Sequence, residues 1–298
     1  MSTEKKRELP LVRRLLALGC CLTATALLAG CGSEPESRRT VSTSVTQAAA
    51  EAPEVLVTIP GTLAADFVEL EKSTEGELGL AIMPVGGENL VGLGQWTTGP
   101  AWSTMKVPLV VAAERKSPGG QNYATSAAIT ASDNSSADAL WSTLGTPREA
   151  AQAVQEVLRD GGDDTTVVQE KRSRSEYSSF GQSEWSLADQ VRFGSRLPCL
   201  PGSERAVELM GSVTANQQWG LGSVFGTAEF KGGWGPDTDG GYLVRQFGLV
   251  PAGGGSLAIA LAAQPDSGTF ADGMTLLDEM SELIQQHLGE FTGGSCPA

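Results

Sequence analysis

The chain has 298 residues, with 35 acidic and 21 basic side chains and a formal net charge of −14. Beyond its first thirty residues it has no long block of Lys and Arg, so it is unsuited to binding nucleic acid through phosphate contacts. Five cysteines and a single histidine leave few ligands for a transition metal, and no metal site is predicted.

The first thirty residues have the pattern of an export signal. A basic segment precedes an apolar stretch at 15–30 that is too short to remain as a membrane-spanning helix. The stretch ends in Leu28-Ala29-Gly30-Cys31, which resembles a bacterial lipobox, where cleavage precedes a cysteine that then carries lipid such as palmitate. We predict an extracytoplasmic protein, anchored to the cell membrane by lipid on Cys31. An ordinary signal peptide or an uncleaved anchor is the alternative, and Arg13-Arg14 leaves Sec and twin-arginine export both open.

The remaining chain is predicted to divide into a tether and one domain. Residues 31–60 are rich in Ser, Thr, Ala and Glu and poor in aromatic residues, which predicts a disordered tether. Residues 61–298 are long enough for a single domain with one sizeable core. Loss of residues 1–30 removes five positive and two negative charges, so the net charge falls to about −17 and disfavours direct contact with anionic lipid.

Two cysteines, Cys199 and Cys296, remain in the domain, in an oxidising compartment if export is right. An even pair in that setting predicts a disulfide that ties the C-terminus to the body of the domain. Two free, buried thiols are the alternative.

Hydrophobic periodicity predicts the elements of the first two thirds of the domain. Two strands come first, at 77–83 and 90–96, with a glycine-containing turn between them. A helical region follows, interrupted by a polar loop at 160–183. Its predicted helices are one that opens near residue 103 and three more at 135–144, 147–158 and 186–197.

The last third has a different pattern. Three strand-like runs at 228–234, 242–250 and 257–263 are separated by short Gly, Pro and Asp turns, which favour antiparallel pairing. An amphipathic helix at 273–288 closes the chain. The order of elements predicts an α/β sandwich with a five-stranded sheet in which the N-terminal and C-terminal strands meet.

The single histidine, His287, limits the possible serine chemistry. We expect it on the outer face of the last helix as a surface residue, away from any serine. A Ser-His-Asp triad is then excluded, and a lysine with a lowered pKa is the remaining base for a serine nucleophile. Ser103-Thr104-Met105-Lys106 supplies such a pair, because residues three apart on a helix share a face. Taken alone, the motif also fits a helix N-cap followed by a surface lysine.

Two further short motifs follow in the chain. Ser132-Asp133-Asn134 precedes a predicted helix, and its alternative interpretation is a polar turn that caps this helix. Lys231-Gly232-Gly233 lies in a predicted strand, and its alternative is a strand that ends in a glycine turn. A Ser-x-x-Lys helix, then Ser-Asp-Asn, then Lys-x-Gly on a late strand resembles the three-part signature of class A β-lactamases and penicillin-binding proteins.

The resemblance covers residues 77 to 291 loosely and implies a β-lactamase/DD-peptidase-like α/β (α+β) fold. This fold has a five-stranded antiparallel sheet flanked by helices, with a helical lobe. It also implies that Ser103 attacks an acyl carbonyl, that Lys106 accepts or relays its proton, and that Ser132 protonates the leaving nitrogen.

The resemblance assigns the remaining positions to substrate binding. Asn134 would orient Lys106 and the substrate amide, and Lys231 would hold the substrate carboxylate and tune the serine of the second motif. Gly233 and Trp234 would border the substrate, with the backbone N–H of Trp234 as half of the oxyanion hole. The implied ligand is a β-lactam or a peptidoglycan-derived peptide, with no cofactor, and we expect a monomer.

Three departures from the family pattern limit this expectation. Only 28 residues separate Ser103 from Ser132, which predicts a trimmed helical lobe. Gly232 stands where the family has Thr or Ser, so a hydroxyl for the substrate carboxylate is absent. The 160–183 loop has no Glu-x-x-x-Asn, and its nearest glutamates, Glu170 and Glu176, are expected to be solvated loop residues.

Without the loop glutamate, deacylation is expected to be slow or absent. Two functions therefore stay open: a serine hydrolase or acyltransferase acylated at Ser103, and a non-catalytic lipoprotein that binds a cell-envelope ligand in a degraded cleft.

Overall fold

The computed structural model describes residues 61–297. The predicted signal peptide, the predicted lipidation site Cys31 and the whole predicted tether at 31–60 lie outside the described residues. Within residues 61–297, no helix is both long enough and apolar enough to span a membrane.

A five-stranded sheet forms the centre of the domain. Its strands lie in the order β2-β1-β7-β6-β5, and every neighbouring pair is antiparallel. The N-terminal hairpin therefore joins the C-terminal strands, which confirms the predicted sheet. A second, two-stranded sheet pairs β3 with β4. The strands are β1 Gly76–Pro84, β2 Val91–Gly94, β3 Thr98–Pro100, β4 Glu184–Ser186, β5 Glu229–Pro236, β6 Tyr242–Ala252 and β7 Gly255–Pro265.

Helices cover both faces of the sheet. One hydrophobic cluster joins the first face to α1 and α9, and another joins the second face to α6 and the helical lobe. Because both faces are covered, β6 and β7 are buried over long continuous runs and show no alternating pattern. The helices are α1 Leu63–Ser73, α2 Lys106–Lys116, α3 Asn122–Thr130, α4 Asn134–Thr143, α5 Pro147–Asp160, α6 Leu187–Arg196, α7 Glu204–Met210, α8 Leu221–Val224 and α9 Phe270–His287.

The predicted order of two strands, a helical middle, three strands and a final helix is confirmed. The sequence analysis missed α1, and it also missed the short elements α3, α7, α8, β3 and β4. Elements of three or four residues, such as α8 and β3, are too short for any periodicity to develop.

The prediction that His287 is a surface residue is wrong. Its side chain is 9% exposed and lies between two carboxylates, with Nε2 2.9 Å from Asp66 Oδ2 and Nδ1 2.8 Å from Glu290 Oε1. The cause is α1, which packs against α9 and covers the face that we took as solvent-exposed. The side chain of His287 does not line the cleft that contains Ser103.

A disulfide joins Cys199 to Cys296, with their Cα atoms 5.4 Å apart. Cys199 ends a short 3₁₀ turn that follows α6, and Cys296 lies in the C-terminal segment. This segment also pairs with the start of β7 through Ser256 and Gly294. The C-terminal segment is thus attached to the sheet through β7 and to the turn after α6 through the disulfide.

Candidate active site

Ser103 lies in a 3₁₀ turn, Trp102–Met105, that continues directly into α2. The residue before it, Trp102, has a φ of 49°, which is a left-handed conformation that is strained for a bulky side chain. The turn is held from both ends, because Ala101 N donates to Ser183 O at 2.8 Å and Thr104 Oγ1 donates to Ala101 O at 2.5 Å. Such strain is maintained only by surrounding structure and is concentrated at functional sites.

Lys106 follows one turn later and is fully buried. Its Nζ donates to Ser132 O at 2.6 Å and to Asn134 Oδ1 at 2.7 Å, and Ser132 Oγ lies 3.2 Å away. Among residues 61–297, these atoms rather than the hydroxyl of Ser103 are its hydrogen-bond partners. Burial lowers the pKa of Lys106 to about 7, although the carboxylates of Asp133 and Asp138 act in the opposite direction.

Lys231 reaches the same serine from β5. Its Nζ donates to Ser132 Oγ at 2.9 Å and to Gly232 O at 2.7 Å. The side chain is fully buried, and burial together with the charge of Lys106 lowers its pKa well below the ordinary value. The hydroxyl of Ser132 therefore lies between two buried amines.

The Ser-Asp-Asn motif is shaped to present its two outer side chains. Ser132 has a φ of 55°, and Asp133 then caps α4 by accepting the backbone N–H of Ser136 at 2.6 Å. The cap engages the carboxylate of Asp133, while Ser132 and Asn134 both contact Lys106. The interpretation as a helix cap therefore applies to Asp133, and the catalytic interpretation applies to Ser132 and Asn134.

Gly233 allows β5 to approach the 3₁₀ turn that contains Ser103. A Cβ atom at this position would lie 2.9 Å from both Ser103 N and Thr104 N, closer than real side chains come to backbone. Because β5 is the edge strand of the sheet, one side of its backbone has no strand partner. Trp234 follows immediately, so its position is compatible with the predicted pairing of its N–H with that of Ser103.

Gly232 has a different environment. A Cβ atom there would lie 2.6 Å from Cη2 of Trp219, whose indole is buried. Trp219 packs edge-on against Trp234 and Phe270, with ring centroids 6.0 and 6.1 Å away. The indole therefore occupies the space into which a Thr or Ser side chain at position 232 would extend.

All of the predicted catalytic side chains except Lys231 line one open cleft of about 200 Å³, and Lys231 reaches it through Ser132. Sequence analysis missed most of its other walls. They come from the 160–183 loop and from the ends of β5 and β6: Tyr177, Ser178, Phe180, Gly181, Gly235, Pro236 and Tyr242.

The loop contributes Tyr177 rather than a glutamate to this cleft. The Tyr177 ring lies edge-on to Trp102 with centroids 5.1 Å apart, and the Arg174 guanidinium lies 4.5 Å from the Tyr177 ring centroid. Glu170 and Glu176 do not line the cleft, and their side chains are 40% and 56% exposed. Each lies near a basic neighbour in the loop, as solvated residues do.

No group of three or more His, Cys, Asp or Glu side chains within residues 61–297 is arranged to hold a metal ion.

No protein-family model matches the chain, and no curated protein matches it. Solved structures do resemble it. A class A β-lactamase from Mycobacterium abscessus has a TM-score of 0.62 and 17% identity, over 76% of this chain and 99% of that one. The TLA-3 extended-spectrum β-lactamase has a TM-score of 0.62 and 14% identity over 76% and 98% of the two chains. An ancestral class A β-lactamase has a TM-score of 0.59 and 18% identity over 76% and 99%. The described domain has the fold of the class A β-lactamases.

Proposed function

We propose that this protein is a serine hydrolase or acyltransferase whose Ser103 is acylated by a β-lactam or by a peptidoglycan-derived peptide. The observation that carries the proposal is the convergence of three distant motifs. Ser103, Lys106, Ser132 and Asn134 line one cleft, and Lys231 donates to Ser132. A nucleophile, a base and a proton relay are the parts that acyl transfer needs.

Lys106 is suited to act as the base. A neutral amine retains two N–H donors and one lone pair, and its two shortest hydrogen bonds are to Ser132 O and Asn134 Oδ1. The lone pair is then free to accept the proton of Ser103 as its oxygen attacks the carbonyl carbon. A pKa of about 7 leaves a large neutral fraction at physiological pH.

Ser132 is suited to carry that proton onward. Its hydroxyl lies 3.2 Å from Lys106 Nζ and 2.9 Å from Lys231 Nζ, so it can receive a proton from one amine and give its own to the leaving nitrogen. The backbone N–H groups of Ser103 and Trp234 would stabilise the developing oxyanion. Because no carboxylate of the loop lines the cleft, hydrolysis of the acyl-enzyme is slow and the adduct accumulates.

Labelling with a reporter penicillin, followed by intact-mass measurement, tests the proposal. We expect one adduct on the wild type, none on Ser103→Ala, and an unchanged adduct on Ser142→Ala, a control serine on the exposed face of α4. An adduct that persists on Ser103→Ala, or no adduct on the wild type, contradicts the proposal.

A second candidate is a non-catalytic domain that binds a cell-envelope ligand. The indole of Trp219 in the space beside Gly232 favours it, because a carboxylate-binding hydroxyl cannot be accommodated there. Calorimetric titration with a peptidoglycan-derived peptide distinguishes the two. Saturable binding without any Ser103 adduct from penicillin or peptide supports the binding domain.

The location of the protein is also a proposal. We infer a lipoprotein held outside the cytoplasmic membrane through Cys31, on the basis of the apolar signal and the lipobox-like Leu28-Ala29-Gly30-Cys31.

A further inference from the structure

The 160–183 loop presents a hydroxyl to the cleft that is bonded to a carboxylate. The geometry points to Ser178 and Asp138 as the pair that binds and activates the water molecule that hydrolyses the Ser103 acyl-enzyme. This inference rests on the proposed function, since it requires an acyl-enzyme. It replaces the missing loop glutamate with a carboxylate from a different element, α4.

Ser178 and Asp138 are joined by a short hydrogen bond. Ser178 lines the same cleft as Ser103 and is half-buried, and its Oγ donates to Asp138 Oδ1 at 2.6 Å. Of the cleft-lining side chains within residues 61–297, this is the one bonded to a carboxylate. A hydroxyl that donates to a carboxylate keeps its lone pairs free to accept a proton from a water molecule in the cleft.

Asp138 is also placed near the reacting groups. It lies four residues after Asn134 on α4, so both side chains project from the same face of that helix. Its negative charge raises the pKa of Lys106 against the effect of burial. The remaining carboxylate oxygen lies 3.2 Å from Arg172 Nη2, and the Asp138 side chain is 43% exposed, so a proton taken up there can pass to solvent.

The proposed step balances as follows. The water oxygen attacks the acyl carbonyl carbon and gives one proton to Ser178 Oγ, whose own proton passes to Asp138 Oδ1. The tetrahedral intermediate then collapses, the bond from the carbonyl carbon to Ser103 Oγ breaks, and that oxygen takes a proton from Lys106 in its ammonium form. Asp138 releases its proton to solvent, which balances the proton that Lys106 took up from solvent before the step. The products are a free carboxylic acid, unmodified Ser103 and the neutral Lys106 amine that the next acylation needs.

A pulse–chase experiment on the full protein measures this step separately from acylation. The enzyme is labelled with a fluorescent penicillin, excess unlabelled penicillin is added, and loss of fluorescence from the protein is followed. General-base activation contributes at least about 100-fold, so Ser178→Ala and Asp138→Asn should each lengthen the adduct lifetime by about that factor. The rate of labelling is measured in parallel, and the lifetime is taken from the decay of adduct already formed, so a change in acylation does not alter it. The double variant should be no slower than either single variant, because the two groups act as a unit.

Two controls separate catalysis from anchoring of the loop. Asp138→Asn keeps an oxygen that accepts the Ser178 hydroxyl, so a pair that only anchors the loop leaves the adduct lifetime unchanged. Ser175 and Glu176 form a matched serine–carboxylate contact, 3.4 Å long, on the same loop but outside the cleft. Ser175→Ala and Glu176→Gln should leave the lifetime unchanged.

The failures are distinguishable. A wild-type adduct whose lifetime is the same in Ser178→Ala and Asp138→Asn overturns this inference and leaves the proposed function intact. A wild-type adduct that never decays also overturns this inference and leaves the proposed function intact. No adduct on the wild type overturns both.

Discussion

Two lysines share one serine hydroxyl in this site, and burial decides their charge. A buried ammonium loses its hydration, so Lys106 and Lys231 both have lowered pKa values, and the charge of Lys106 adds to the cost of charging Lys231. An ordinary lysine with a pKa near 10.4 would be almost fully protonated at pH 7 and unable to accept a proton. In the mechanism that we propose, the base is therefore a buried lysine rather than a histidine.

The rate of Ser103 acylation should follow the titration of Lys106. The neutral amine is the reactive form, so the rate constant should rise about tenfold per pH unit below the pKa of about 7 and level off above it. Time-resolved penicillin labelling between pH 5 and 9 measures this, with circular dichroism at each pH as the control for folding. A rate that is flat, or that falls as the pH rises through 7, contradicts the assignment.

Side-chain identity made part of the site predictable. Ser103, Lys106, Ser132 and Asn134 belong to short runs whose residue types carry the chemistry, so the sequence alone indicated them. Trp219 was not predictable, because its contact with Gly232 depends on how two separate segments pack. Tyr177 and Ser178 were missed for the same reason, since a polar loop gives no signal of which residues face inward.

At the scale of elements, β5 positions the site through its glycines. The absence of a side chain at Gly233 leaves space for the 3₁₀ turn that contains Ser103. The absence of a side chain at Gly232 leaves space for the indole of Trp219. The two positions therefore have different reasons for lacking a side chain, although the sequence showed them only as one glycine pair.

Gly232→Thr should destabilise the protein by about 1–3 kcal/mol, because the new side chain must displace Trp219 from its aromatic neighbours. Trp219→Leu vacates that space. The double variant should then be less destabilised than the sum of the two single variants by about 1 kcal/mol or more. Chemical unfolding of the wild type, the two single variants and the double variant measures this coupling. If the changes in the free energy of unfolding add within about 0.5 kcal/mol, the contact between positions 232 and 219 does not contribute to stability.

Helices and strands were predicted correctly where a long buried element leaves a hydrophobic pattern in the sequence. The four long strands β1, β5, β6 and β7 and the helix α9 bury continuous or amphipathic runs, and these were recognised within a few residues of their ends. The helix α1 was missed, although it carries the buried Leu63 and Phe67, because it directly follows the segment that we predicted to be a tether. That single omission also produced the wrong placement of His287.

At the scale of the whole molecule, the disulfide closes a long loop. Cys199 and Cys296 are separated by 97 residues, and the enclosed segment contains β5, β6, β7 and α9. Replacing both cysteines with Ala should lower the free energy of unfolding by about 2–5 kcal/mol, because the unfolded chain regains the freedom that the crosslink removes. Equilibrium unfolding in denaturant measures the change. A loss below about 1 kcal/mol would contradict a stabilising role.

The proposed membrane attachment through Cys31 is tested on the whole chain. Radiolabelled palmitate supplied to expressing cells should be incorporated into the wild-type protein, which should fractionate with membranes. Cys31→Ala should abolish incorporation and Cys21→Ala should not, because only the cysteine after the small residues is modified. Labelling that survives Cys31→Ala would exclude the lipobox.

The most direct measurement of the central claim is a crystal structure of the protein after reaction with a penicillin. We predict continuous density from Ser103 Oγ to the former lactam carbonyl carbon, with the carbonyl oxygen held by the backbone N–H groups of Ser103 and Trp234. A penicillin bound intact beside an unmodified Ser103, or attached to any other residue, would contradict the account.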